Sequence, residues 1–364
     1  MKRIFAGMAA ALLAAVSFFP VKAQAVSAQR AILLDAQTGR VLYEKQADAQ
    51  SLIASTTKIM TALVVCEQCN VLDRVRIPKE AVGIEGSSMY LQAGEILTVQ
   101  ELLYGLMLRS GNDAAVALAI YCGGTVEGFA QLMNDKARVL GMENSHFVNP
   151  NGLDATGHYS TARDLAILAA YAMENPIFAQ TVSTKSVTIG QRVLHNHNKL
   201  LWLLEGADGV KTGYTKAAGR ILVSSAQRQG RRLIAVTINA PNDWQDHKDL
   251  MEEGFCRYTV SQVIRKGQAL GSTLVAGGAQ GDVTILADAD FSYALAAGEQ
   301  LTLWLPKPGF VYAPVCQGQE AGTAYLCLEG KPVGQIPLVY GQTVERKEET
   351  KRSLWERIRE RSPA

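Results

Sequence analysis

Gly206-Ala-Asp-Gly-Val-Lys-Thr-Gly-Tyr-Thr-Lys-Ala-Ala-Gly219 runs into Ile221-Leu-Val223 and then, past the polar stretch Gln227 to Arg231, into Leu233-Ile-Ala-Val-Thr-Ile238. β-Branched and aliphatic runs on both sides of a glycine-containing turn predict antiparallel strands. Lys211-Thr212-Gly213 then falls on an edge strand, where the missing side chain of Gly213 is expected to let a substrate backbone approach.

Upstream, Ala31-Ile-Leu-Leu34 and Val41-Leu-Tyr43 flank Asp35-Ala-Gln-Thr-Gly39, a turn sequence, so the chain is expected to open its first domain with a β-hairpin. Helical signals lie between. Ile59, Met60, Leu63 and Val64 recur at helical spacing within Ser55 to Val65, and Thr98-Val-Gln-Glu101 is a capping box ahead of Leu102, Leu103, Leu106 and Met107. Gly111 is expected to close that helix, leaving Ser110 in a helix-to-helix turn. Thr125 can cap a helix ending at Gly141, and another spans Thr161 to Met173. Helices between a first hairpin and later strands imply an α+β fold, helices packed on an antiparallel sheet. Beyond Cys256-Arg257-Tyr258, short Val, Leu and Thr runs are broken every few residues by Gly, Asp or Pro, the pattern of a small all-β domain. The expected organisation is 1–25 export signal, 26–258 catalytic domain, 259–344 all-β domain and 345–364 charged tail.

The first segment sets the compartment. Lys2 and Arg3 precede an apolar run from Ile4 to Phe19 and the small-x-small site Ala23-Gln24-Ala25, which reads as a cleaved secretory signal. Cleavage removes Lys2, Arg3 and Lys22 and takes the formal charge from +2 to −1, a balance that argues against nucleic acid as a partner. Six cysteines in 364 residues are too few for a disulfide framework. Cys316 and Cys327 flank a stretch that can turn a hairpin, which leaves them paired or free. Cys66 and Cys69 have neither a second cysteine pair nor a ligand-spaced histidine, so structural roles fit them better than metal or redox roles. The tail carries Leu354, Trp355 and Ile358 at helical spacing among charges of both signs, compatible with a helix on a membrane surface or with a solvated segment.

Three short motifs carry chemistry. Ser55-Thr-Thr-Lys58 puts serine and lysine at i and i+3, on one helix face, so that the Lys58 amine can serve as base for the Ser55 hydroxyl. A free amine titrates near 10.4; burial and a second cation, for which Lys211 is the candidate, are needed to bring it into a useful range. Ser110-Gly-Asn112 supplies a hydroxyl able to relay a proton and an amide able to orient a substrate amide. Lys211 and Thr212 offer positive potential and a hydroxyl to a substrate carboxylate, and the backbone N–H groups of Ser55 and Tyr214 are the expected oxyanion hole. The five histidines lack a helical metal-binding spacing, and neither a G-x-S-x-G elbow nor a P-loop is present.

In this order the motifs resemble those of the serine D-alanyl-D-alanine carboxypeptidases, the low-molecular-mass penicillin-binding proteins. Asp35 to Gly39, Gly86-Ser-Ser-Met-Tyr-Leu-Gln-Ala-Gly94, Phe147-Val-Asn-Pro-Asn-Gly152, His158-Tyr-Ser-Thr-Ala-Arg-Asp164 and Asn198-Lys-Leu-Leu201 look like that family as well. The likeness covers about residues 30–258 strongly and the β-domain loosely. It implies a β-lactamase/transpeptidase-like domain, Ser55 as nucleophile, Lys58 as base, Ser110 with Asn112 as relay, and Lys211 and Thr212 on the anion side. It further implies peptidoglycan stem peptides as substrate, β-lactams as inhibitors and no cofactor. One stretch departs: where well-studied members carry an arginine for the terminal carboxylate, this chain has Asn242-Asp-Trp-Gln-Asp-His-Lys248, similar to the sporulation-type branch. Carboxylate binding is left open among Thr212 with Lys211, His247 and Lys248. A class A-like β-lactamase, which relies on a loop glutamate not evident between Ser110 and Lys211, and a non-catalytic wall-associated scaffold are the alternatives.

Overall fold

The computed structural model describes residues 26–306 and 308–348; the expected signal segment and residues 349–364 of the tail lie outside them. Strands β1 (Arg30–Asp35) and β2 (Val41–Lys45) form the opening hairpin. Two small ribbons follow, β3 (Arg74–Arg76) with β4 (Ile96–Thr98) and β5 (Ser186–Ile189) with β6 (Arg192–His195). The long strands β7 (Ala207–Thr215), β8 (Gly219–Arg228) and β9 (Arg231–Ile238) complete a five-stranded sheet in the order β2-β1-β9-β8-β7. All its pairings are antiparallel, and β7 is an edge.

The inner strands β1, β8 and β9 carry unbroken buried runs, and because successive side chains point to opposite faces, both faces of the sheet are covered there. Ile32, Ile221, Val223, Ile234 and Val236 join the larger core with the helices α1 (Lys58–Gln68), α2 (Val99–Leu108), α3 (Asn112–Gly123), α4 (Val126–Val139), α5 (Ala162–Ala172) and α6 (Pro176–Ser183). Leu33, Leu222, Leu233 and Ala235 face the opposite way. They pack with Leu200 of the short helix α7 (Leu200–Leu203) and with Leu250 and Met251 of α8 (Asp243–Arg257).

Local capping follows the sequence closely. Thr98 accepts from the Glu101 N–H while Glu101 reaches back to the Thr98 N–H, and Thr125 and Thr161 cap α4 and α5. Two boundaries differ from expectation. Ser55 lies in a 3₁₀ turn, Ala54–Thr57, before α1 begins at Lys58. Gly111 does not close α2: Ser110 takes the left-handed backbone, φ 62°, and Gly111 is the N-cap of α3.

Tyr258 starts the second domain, an antiparallel pair β10 (Tyr258–Ile264) and β13 (Phe291–Ala296) beside a six-stranded sheet. That sheet holds β11 (Ala269–Ala276), β12 (Asp282–Ala287), β14 (Leu301–Trp304), β15 (Phe310–Tyr312), β16 (Glu320–Leu328) and β17 (Lys331–Tyr340). Backbone pairing continues past residue 344, with Glu345 accepting from Ala279 and Lys347 donating to Gly277, so the first residues of the 345–364 segment belong to this domain. Arg40 of the first domain grips Glu299 at 2.6 and 2.8 Å and stacks over Tyr258 and Tyr293.

Cys316 and Cys327 are free thiols. The stretch between them is not a hairpin: Cys316 precedes β16 and Cys327 is near its far end. At about 3.3 Å per residue the two are roughly 20 Å apart, far outside disulfide reach.

Candidate active site

The 3₁₀ turn carrying Ser55 sits where the edge strand β7 meets the helical layer. Gly213 makes this approach possible. A Cβ there would come within 3.3 Å of the Ser55 nitrogen and 3.2 Å of the Thr56 nitrogen, backbone atoms that cannot swing aside. The missing side chain of Gly213 thus accommodates the serine turn, and Gly213 also lines the cavity described below. Ala54, one residue before Ser55, has φ 45°, a strained conformation for a residue with a Cβ.

Lys58 is wholly buried one turn on, its Nζ 3.1 Å from Ser55 Oγ and 2.7 Å from Asn112 Oδ1, with the Asn151 carbonyl as third partner. Burial, then the charge of Lys211, push its pKa well below 10.5, against a smaller opposing pull from Asp113. A neutral amine has two N–H donors and one lone pair. The two shorter contacts go to acceptors that cannot donate, the Asn112 and Asn151 oxygens. In the neutral form of Lys58 the lone pair is left for Ser55, whose hydroxyl can then donate to it, the arrangement a general base needs.

Lys211 is also buried, with Nζ donating to the Thr212 carbonyl at 2.9 Å, and burial brings its pKa to about 7. Lys211 and Gly213 share the sheet face of Ile221 and Val223, opposite which they register. Thr212 and Tyr214 share the other face with Arg220. A cavity wraps this edge, lined by Ser55, Ser87, Ser110, His197, Lys199, Thr212, Gly213, Tyr214, Arg220, Ile221, Asp243 and Trp244. The Ser110 and Thr212 hydroxyls carry no hydrogen bond among the described residues.

Two supports escaped the sequence reading. The first is the 149–153 loop. Asn149 accepts from the Gly152 N–H and Thr61 donates to the Pro150 carbonyl, which presents the Asn151 carbonyl to Lys58. His158 Nδ1 accepts from the Val148 N–H, so Nε2–H donates to Thr57, and burial keeps the ring neutral with its pKa near 4. The second is Asp113. Its carboxylate accepts from Ser88 Oγ at 2.6 Å and from the Met89 and Leu91 N–H groups at 3.1 Å, which holds the loop whose Glu85 and Ser87 carbonyls fix Asn112. Asp113→Asn turns an N–H pair toward donors; the expected cost is about 2–3 kcal/mol, seen as a melting temperature lower by roughly 5 °C or more. An unchanged melting temperature in calorimetry would remove Asp113 from the support of this loop.

His247, one of the residues considered for a carboxylate, is fully buried between Ser224 Oγ and Thr237 Oγ1 on the α8 face, and burial lowers its pKa to about 3. It has no access to the cavity.

The model of the D-alanyl-D-alanine carboxypeptidase family matches residues 18–242, and that of the penicillin-binding protein 5 C-terminal domain matches residues 258–346. D-alanyl-D-alanine carboxypeptidase DacF of Bacillus subtilis is 32% identical over 327 residues, 85% of this chain and 84% of the relative. DacC of Escherichia coli is 35% identical over 345 residues, 89% of this chain and 86% of the relative. Among solved structures, penicillin-binding protein 5 from Haemophilus influenzae superposes with a TM-score of 0.78 at 30% identity, covering 88% of this chain and 98% of that one. The Streptomyces K15 DD-transpeptidase, at 37% identity and a TM-score of 0.61, covers 64% of this chain and 98% of that one. With both family models met in sequence and the fold shared over both domains, the chain belongs to the D-alanyl-D-alanine carboxypeptidase family.

Proposed function

We propose that the protein is an exported serine D-alanyl-D-alanine carboxypeptidase that trims peptidoglycan stem peptides outside the cytoplasm. The observation that carries this reading is the buried Lys58 amine 3.1 Å from Ser55 Oγ, with its other two contacts made to oxygens that only accept. Ser55 Oγ passes its proton to Lys58 Nζ and attacks the carbonyl carbon of the penultimate D-alanine. The oxyanion is received by the backbone N–H groups of Ser55 and Tyr214. The C–N bond breaks as the Lys58 proton, relayed through the Ser110 hydroxyl, reaches the departing D-alanine nitrogen. Water, deprotonated by the same amine, then hydrolyses the ester on Ser55.

β-Lactams enter the same path and acylate Ser55. Among the described residues, the one carboxylate lining the cavity is Asp243, and it is tied to Arg220 at 2.9 to 3.1 Å rather than free to drive rapid hydrolysis of the penicilloyl ester. This favours slow release over β-lactamase turnover. The presence of every polar group the reaction uses speaks against a scaffold without activity.

The test is intact-protein mass after brief exposure to benzylpenicillin, peptide mapping of the adduct, and D-alanine release from a peptide ending in D-Ala-D-Ala. One persistent adduct on the Ser55 peptide together with D-alanine release is expected. Rapid penicillin turnover would instead support the β-lactamase reading, and no adduct with no release would sink the enzymatic one.

A further inference from the structure

We propose that Arg220, held in place by Asp243, binds the C-terminal carboxylate of the substrate and the equivalent carboxylate of a β-lactam; this rests on the peptidase reading and names the cation that reading leaves unassigned. Arg220 is the second residue of β8 and stands directly across from Tyr214 on the edge strand. Asp243, the first residue of α8, is buried and takes Nε and Nη2 of Arg220 in a bidentate pair at 3.1 and 2.9 Å. The guanidinium carbon lies 5.9 Å from the Trp244 ring centroid. Orientation is therefore fixed, yet the Arg220 side chain remains 45% exposed at the cavity and Nη1 carries no hydrogen bond among the described residues.

A fixed fork with one free end is suited to a planar anion. On the same sheet face, Thr212 is the diagonal neighbour of Arg220, about 7–8 Å away, and its hydroxyl carries no hydrogen bond among the described residues. A carboxylate can bridge the two. The other cations near the cavity fit less well. Lys211 is buried and donates to the Thr212 carbonyl, and Lys199 stands on the exposed rim with no side-chain partner among the described residues to orient it. The role the family gives to an arginine further along the chain is thus met from β8, while Asp243-Trp244 occupy the stretch where that arginine is absent.

The quantity to read is the preference in kcat/KM for a D-Ala-D-Ala peptide acid over its C-terminal amide. One charge-assisted pair is worth a factor of about 10–100. In Arg220→Gln that preference is expected to fall by about this factor, with the loss mainly in KM, and Arg220→Lys to retain an intermediate preference. Arg220→Lys also carries the test should the glutamine variant not fold, because loss of all preference or full retention in it would each count against a bidentate anchor. An unchanged preference in Arg220→Gln with D-alanine release intact overturns the proposal and leaves the peptidase reading standing. Loss of the preference in Lys199→Gln instead would assign the carboxylate to the rim lysine and overturn it too. A wild-type protein that neither releases D-alanine nor forms a penicilloyl adduct would bring down the peptidase reading itself.

Discussion

Lys58→Met is expected to lower the acylation rate by benzylpenicillin about 10³- to 10⁴-fold, the upper part of what a positioned base contributes, with no recovery at any pH. Lys211→Gln is expected to behave differently. Burial is the first cause of the low Lys58 pKa and the charge of Lys211 the second. Removing that charge moves the Lys58 pKa back toward 10.5, so less of the amine is neutral at pH 7 and the rising limb of the pH–rate profile shifts to higher pH. Part of the lost rate returns on raising the pH. A Lys211→Gln profile with its rising limb unmoved would show that burial alone sets the base, and a Lys58→Met enzyme that still acylates at a tenth of the normal rate would remove Lys58 from the reaction.

The same two amines leave a mark on stability. Each has a folded pKa below its unfolded value, so between those values the unfolded chain binds more protons and unfolding free energy rises with pH. For Lys211 the window runs from about 7 to 10.5. Its slope is at most about 1.4 kcal/mol per pH unit, and the destabilisation is fully present below the window. Lys211→Gln should flatten the rise of melting temperature with pH across this range by one lysine's share.

What the sequence disclosed was what lies close along the chain. The threonine caps at Thr98 and Thr125 are local hydrogen bonds between residues three apart, legible from residue type and spacing. Ser55 and Lys58 are likewise local, and their geometry depends on one helical turn. Arg220 and Asp243 meet only because β8, β9 and the start of α8 fold back on one another across 23 residues. No short pattern announces such a pair. Helix α8 itself was hidden, since charged and amide residues outnumber its inward anchors Trp244, Leu250, Met251 and Phe255. The partner of Lys58 in the 149–153 loop is a main-chain carbonyl, which any residue possesses, so the identity of Asn151 could not reveal it. Gly111 misled for a physical reason: glycine is the usual left-handed stop, but here the neighbouring serine takes that conformation and places its hydroxyl in the cavity.

Gly152→Ala is expected to reduce acylation by about 10²-fold or more although residue 152 contributes no side chain to the site. Its backbone has φ 82°, and a Cβ there would lie 1.9 Å from the Ala54 carbonyl oxygen and 2.5 Å from its carbon. Neither atom belongs to a flexible side chain, so the loop or the serine turn has to move. If the loop moves, the Asn151 carbonyl leaves Lys58, and the amine is no longer aimed at Ser55. If the turn moves, Ser55 is displaced directly, since Ala54 precedes it and already has a strained φ of 45°. Either way the serine and its base part by a fraction of an ångström to an ångström, a scale on which oriented reactions lose orders of magnitude. The left-handed backbone adds about 1–2 kcal/mol of strain, so melting temperature should fall as well. Stopped-flow acylation beside calorimetry separates the two effects: a variant that melts several degrees lower yet acylates normally would show that this contact supports the fold without positioning Lys58.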